Sequence, residues 1–108
     1  MFALGQSSAE CRQTPGGREY NGTVHVTVSG RQCQSWSVST PHEPNSAYTD
    51  DKFPDMSRAA ANNYCRNPDE SWTEGVWCYT TDPSKRWETC DVPLCGKSAA
   101  SFTSQRVV

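Results

Sequence analysis

The sequence is poor in what builds a large aliphatic core. Isoleucine is absent, leucine occurs only at Leu4 and Leu94, and there are three phenylalanines. Hydrophobic residues make up 34% of the 108 residues, and mean hydropathy is −0.78. A chain of this length is one domain at most. Ordering costs roughly 1.5 kcal/mol per residue, which so little apolar burial struggles to offset. Something other than an aliphatic core must hold the fold.

Other absences exclude functions. There is no run of Lys or Arg, and the formal net charge is −2, which argues against nucleic acid and anionic membrane as partners. No apolar run is long enough to span a bilayer, so membrane insertion is not expected. His25 and His42 are the only imidazoles, and no nucleophile–base pair accompanies them, so the chain reads as a non-enzyme needing no cofactor. His42, in "PHEP", is read as a structural hydrogen-bonding residue and His25 as solvated. Asp50, Asp51 and Asp55 lack the spacing of a calcium loop and are read as a solvated acidic turn, leaving no expected metal. Helical periodicity is nearly absent; "MSRAAANNYC" allows one or two turns around Ala59–Ala61.

What the chain does have is six cysteines, at 11, 33, 65, 78, 90 and 95. An even count in a short polar chain indicates a disulfide framework and an oxidising compartment. Zinc is the competing reading, but the closest pair, Cys90 and Cys95, is wider than the usual C-x2-C. Six cysteines can pair in fifteen ways. The polar stretches 1–10 and 96–108 read as linkers or tails, leaving 11–95 as the ordered unit. The opening "MFALGQSSAE" is too short and polar for a signal peptide, so the expectation is an excised fragment of a secreted chain. Asn21–Gly22–Thr23 is a glycosylation sequon at Asn21.

Two segments carry strand character. "GTVHVTVSG" alternates Val24, Val26 and Val28 with Thr23, His25 and Thr27, a period-2 pattern bounded by glycines. "WCYTTDPSKRWETC" holds two short runs around Asp82–Pro83–Ser84–Lys85, which suits a type I turn. Side chains alternate faces along a strand. With Cys78 and Cys90 pointing inward, Trp77, Tyr79 and Trp87 share the opposite face. The expectation is an aromatic surface separate from the disulfide core, a binding surface in a chain with so few apolar residues. Trp36, beside Cys33, is assigned to the core; Trp72 is unassigned.

The blocks "YNGTVHVTVSGRQCQSW", "PHEP", "NYCRNPD" and "VWCYTTDPSKRWETCDVPLC", with six cysteines in register from Cys11 to Cys95, resemble a kringle domain. The resemblance implies a small disulfide-rich fold, mostly loops with short antiparallel β-strands and little helix. It implies the pairings Cys11–Cys95, Cys33–Cys78 and Cys65–Cys90. Kringles are non-catalytic binding modules of secreted mosaic proteins such as plasminogen, prothrombin, hepatocyte growth factor and the Ror receptors, and many bind lysine. By that resemblance Asp69 would hold an ammonium, and Glu70 and Glu74 stand as candidate substitutes for the second anion. Trp77, Tyr79 and Trp87 would form an apolar trough, and Arg86 would meet a carboxylate.

The sequence departs from lysine-binding kringles at several points. Ser71 stands where the second acidic residue belongs, and the loop "RNPDESWTEGVW" is longer and inserts Trp72. Ser46 replaces a second cation. The large aliphatic residue usual before "NYC" is replaced by Ala60, or by Met56 from a distance. The expected function is an extracellular module, monomeric in isolation, that binds lysine-type zwitterions or the exposed or C-terminal lysines of partner proteins with weakened affinity. The alternative is a protein-interaction or spacer kringle without a working lysine site.

Overall fold

Two disulfides cross at the centre of the molecule. Cys33–Cys78 and Cys65–Cys90 lie side by side, and their four sulfurs fall within 4.8 Å of one another. All four residues are buried. This cluster has the donor set of a metal site, but every sulfur is committed to an S–S bond. The third bond, Cys11–Cys95, is half-buried and ties the ends of the domain together. The three bonds bridge sequence separations of 84, 45 and 25 residues. Closing loops of these lengths stabilises the fold by roughly 3.5–4.5 kcal/mol each in the chain-entropy model.

The computed structural model describes residues 10–96. Almost all of the two expected tails therefore lies outside the described residues. Among these described residues regular structure is sparse. One 3-10 turn, Asp50–Lys52, precedes a single antiparallel hairpin of β1, Trp77–Tyr79, and β2, Trp87–Thr89. Its register pairs Trp77 with Thr89, Cys78 with Glu88 and Tyr79 with Trp87. The connecting turn forms as its residues dictate. The Lys85 amide donates to the Asp82 carbonyl at 3.0 Å, and the Ser84 amide donates to Asp82 Oδ1 at 2.9 Å. Entry into β1 requires Gly75, whose φ of 118° disfavours any side chain.

Two expected elements do not form. The valine run makes only an isolated bridge, Val26 with Gln32. A turn follows at once, with the Gly30 amide donating to the Thr27 carbonyl at 2.9 Å. Thr27 is buried, while Val26 and Val28 are exposed. The segment's backbone groups are spent singly on different partners, the Thr27 and Val28 amides on the carbonyls of Arg31 and Thr89 at 2.8 and 2.9 Å and the Val24 and His25 carbonyls on the amides of Cys65 and Cys33 at 2.8 and 3.0 Å, so no continuous ladder forms. The stretch 57–64 makes hydrogen-bonded turns in place of a helix, and Asn62, at φ 51°, closes them in the left-handed region. It is Ala61, completely buried, that packs into the core here; Ala60 is exposed, and Met56 is 68% exposed. Neither therefore supplies the missing aliphatic bulk.

Aromatic rings fill the space that aliphatic residues leave empty. Trp36 is buried and meets Phe53, Trp77 and Tyr79 edge-on, with centroids 5.1, 5.2 and 5.7 Å away. Its indole N–H donates to the Tyr64 carbonyl at 2.7 Å. Arg66 is buried as well, forked onto Asp55 at 2.8 and 3.0 Å and donating to the Gly22 carbonyl at 2.9 Å. Asp55 is therefore the counter-ion of a core arginine and not part of a solvated turn. Asp50 and Asp51 are exposed, as expected of such a turn. His42 Nε2 lies 2.8 Å from the Asp82 carbonyl, a structural contact that steadies the hairpin turn, and His25 is exposed.

Candidate ligand-binding site

The aromatic side chains of the hairpin do lie on one face. Rings of Trp77 and Tyr79 are 5.3 Å apart, and those of Trp77 and Trp87 are 5.9 Å apart. That face is not a separate surface. Trp77 is 6% exposed and Tyr79 3%, both covered from one side by Trp36, whereas Trp87 is 41% exposed. The expected exposed trio is thus two core residues and one surface ring. Long-range packing of the Trp36 and Phe53 segments made the difference.

A cavity of about 230 Å³ opens along the uncovered side of these rings. Asp69, Trp77, Tyr79, Arg86 and Trp87 all line it, and so do Asn45, Tyr48 and Trp72. The contacts run Asp69 to Tyr48 to Trp77 to Tyr79 to Arg86. Aromatic surface therefore lies between a carboxylate and a guanidinium.

Asn67 builds the carboxylate end. Its Oδ1 accepts from Trp77 Nε1 and from the Asp69 amide, each at 3.1 Å. Its amide nitrogen donates to the carbonyls of Gly16 and Trp72 at 2.8 and 2.9 Å. The chain then folds back in a turn, the Trp72 amide donating to the Asp69 carbonyl at 3.1 Å. Asp69 Oδ1 accepts both the amide and the hydroxyl of Ser71, at 2.9 and 2.7 Å. Asp69 Oδ2 accepts the Tyr48 hydroxyl at 2.8 Å. The Ser71 hydroxyl, the Ser71 amide and the Tyr48 hydroxyl hold the Asp69 carboxyl below the ordinary range. Burial, and then the bond to Asp69, pushes the Tyr48 phenol well above its ordinary value. At neutral pH the pair is a carboxylate and a phenol proton donor.

At the cationic end Arg86 stacks over Tyr79, its guanidinium carbon 5.0 Å from the ring centroid. One nitrogen donates to the Glu43 carbonyl at 2.8 Å, which leaves most of the five guanidinium donors for a ligand.

Glu70, expected as a substitute second anion, does not line the cavity. Its carboxylate turns to Lys52 at 3.3 Å and Arg18 at 3.5 Å. Glu74 and Ser46 are exposed and away from the cavity as well. Tyr48 and Trp72 also line the cavity, and no sequence pattern assigns them because each is placed by a loop. Trp72 meets Trp87 edge-on at 5.3 Å. Its indole N–H is buried without a partner, alone in this among the described residues, which costs about 1–3 kcal/mol. One signal was present: Asp69–Glu70–Ser71 is an Asp-x-Ser turn like Asp82–Pro83–Ser84, and such a turn sends the residue after it back toward the first.

The family model for the kringle domain matches residues 11–95, and the chain belongs to the kringle family. Kringles are protein-binding modules of mosaic proteins and are generally non-catalytic. The chain is also similar to a human protein described as putative apolipoprotein(a)-like protein 2. The two are 47% identical over 91 residues, covering 84% of this chain and 64% of that protein's length. Among the described residues no helix is long and apolar enough to cross a membrane.

Proposed function

We propose that this kringle is an extracellular binding module that takes lysine-type zwitterions, including C-terminal lysines of partner proteins, into the cavity beside Trp87. The observation that carries this reading is the order of groups along the cavity: a carboxylate at Asp69, aromatic rings, and a guanidinium at Arg86. A lysine with a free carboxylate presents the complementary order of ammonium, methylenes and carboxylate. Cation–π attraction adds to the charge contact, by about 0.5–2 kcal/mol depending on desolvation. Binding is weak, with Kd on the order of millimolar, because Asp69 acts alone and shares its oxygens with Ser71 and Tyr48. Asn21 is exposed, as a glycan acceptor in a secreted chain must be.

Titration with 6-aminohexanoate, followed by tryptophan fluorescence, tests the reading. A saturable change that disappears in Trp87→Ala is expected. The occupancy of Asp69 by its own turn favours the second reading, a protein-interaction kringle without a working lysine site. An unchanged signal at millimolar ligand establishes that alternative.

A further inference from the structure

Four rings line the cavity in one run of contacts that begins at Asp69 with Tyr48, each steeply inclined to the next. Tyr48 meets Trp77 at 64°, Trp77 meets Trp87 at 69°, and Trp87 meets Trp72 at 79°, with centroids 5.3–5.9 Å apart. Rings set this way make a folded aromatic wall along the cavity and not a flat stack. Hydrogen-bond acceptors are scarce in the same place. A carboxylate offers about four lone-pair directions, and Asp69 has committed three of them, two to Ser71 and one to Tyr48. The other lining side-chain acceptors are neutral, and two of them are partly engaged. Asn45 Oδ1 takes the Ala47 amide at 2.8 Å, and Tyr79 Oη takes the Asn45 amide at 3.0 Å.

A primary ammonium brings three N–H donors, and this wall offers it one charged acceptor direction. A quaternary ammonium brings none. Its charge spreads over methyl groups that pack on ring faces and edges, and it still feels the Asp69 carboxylate. Aromatic rings attract such cations through the ring quadrupole. Trp72 supplies one wall although its own N–H is left unpaired, so no hydrogen bond of that indole holds the ring in place. We infer that this cavity selects quaternary over primary ammonium, its preferred ligand being an ω-trimethylammonium carboxylate, the chemistry shared by a C-terminal trimethyllysine and a free long-chain betaine. The inference rests on the zwitterion-binding reading above and specifies its cation.

The test compares 6-aminohexanoate with 6-(trimethylammonio)hexanoate, equal in chain length and carboxylate, by tryptophan fluorescence and calorimetry on the same protein. The trimethyl compound should bind about tenfold tighter. Trp72→Leu keeps apolar bulk but removes a ring. It should cut the trimethyl preference, the ratio of the two affinities, at least about threefold, with a cooperative thermal transition showing that the domain still folds. A peptide ending in trimethyllysine forms the second arm. Binding equal to that of the free compound identifies a protein chain end as the source, and binding of the free compound alone identifies a small betaine; both support the inference. If 6-aminohexanoate binds as tightly as the trimethyl compound or more so, the inference is overturned while the lysine-type reading stands. If neither compound binds at about 10 mM, both are overturned together.

Discussion

Ser71 gives Asp69 both of its donors, amide and hydroxyl, on the single oxygen Oδ1. The residue that replaces a second carboxylate therefore also occupies the first. It acts as a turn residue, in the same geometry that Ser84 adopts toward Asp82. On the lysine-type reading proposed above, that one residue weakens the cation end of the cavity twice.

Ser71→Asp should reverse this. A second carboxylate adds a charge-assisted contact of about 1.5–3 kcal/mol before screening. Affinity for 6-aminohexanoate should rise about tenfold, and the gain should shrink in high salt. The trimethyl compound should gain less, because it has no N–H to donate. An unchanged 6-aminohexanoate affinity would show that the ammonium does not sit at Asp69.

Ser71→Ala should raise the Asp69 pKa toward its ordinary value, since the hydroxyl is the largest cause of its depression. A carboxyl held low in the folded protein stays ionised as pH falls through the ordinary aspartate range. Ligand binding by the wild type should accordingly persist into acid, and that of Ser71→Ala should fail at higher pH. Carboxyl carbon NMR shifts report the titration directly. Asp82, held at about 2 by the Ser84 amide and hydroxyl and by Arg31, gives an internal reference. Its contribution to stability is complete above the ordinary aspartate pKa and is lost as pH falls toward 2.

Trp77 and Trp87 line one cavity but should respond differently to truncation. Trp77 is buried, packs on Trp36, and donates its N–H to Asn67. Trp77→Ala should cost about 3–5 kcal/mol of stability. Trp87 stands 41% exposed, so Trp87→Ala should remove ligand binding with a smaller loss of stability, about 2 kcal/mol. Chemical denaturation paired with ligand titration separates the two effects.

Asp55→Ala should be among the most damaging single substitutions outside the cysteines. It strands the Arg66 guanidinium, 1% exposed, without its bidentate partner. Breaking a buried pair from one side costs about 3–5 kcal/mol. Replacing the exposed Asp51 should be close to neutral, and comparing their denaturation midpoints checks the assignment.

Reduction should proceed in order. Cys11–Cys95 is half-buried, whereas the central pair of disulfides is not accessible in the folded state. Mild reductant followed by alkylation and mass mapping should label Cys11 and Cys95 first, with a cooperative transition retained. Opening either central bond should unfold the domain, because its apolar content is too low to replace the constraint.

Features under short-range control were legible in the chain before any fold was known. Asp82–Pro83–Ser84–Lys85 had to turn, because proline sets one dihedral and the aspartate side chain caps the amide two residues on. Strand alternation put Trp77, Tyr79 and Trp87 on one face, as their ring contacts show. The count of cysteines demanded bridges, and the register of the motif blocks implied which. How much of that aromatic face is covered was set by long-range packing, since the covering ring, Trp36, lies dozens of positions from the hairpin. Long-range packing also decided that Asp55 faces a buried arginine, that Glu70 turns toward Lys52, and that Tyr48 and Trp72 join the cavity wall. Turn formation and facing depend on a residue and its next few neighbours. Burial and charge pairing depend on which distant segments the disulfides bring together, and no local pattern encodes that sum.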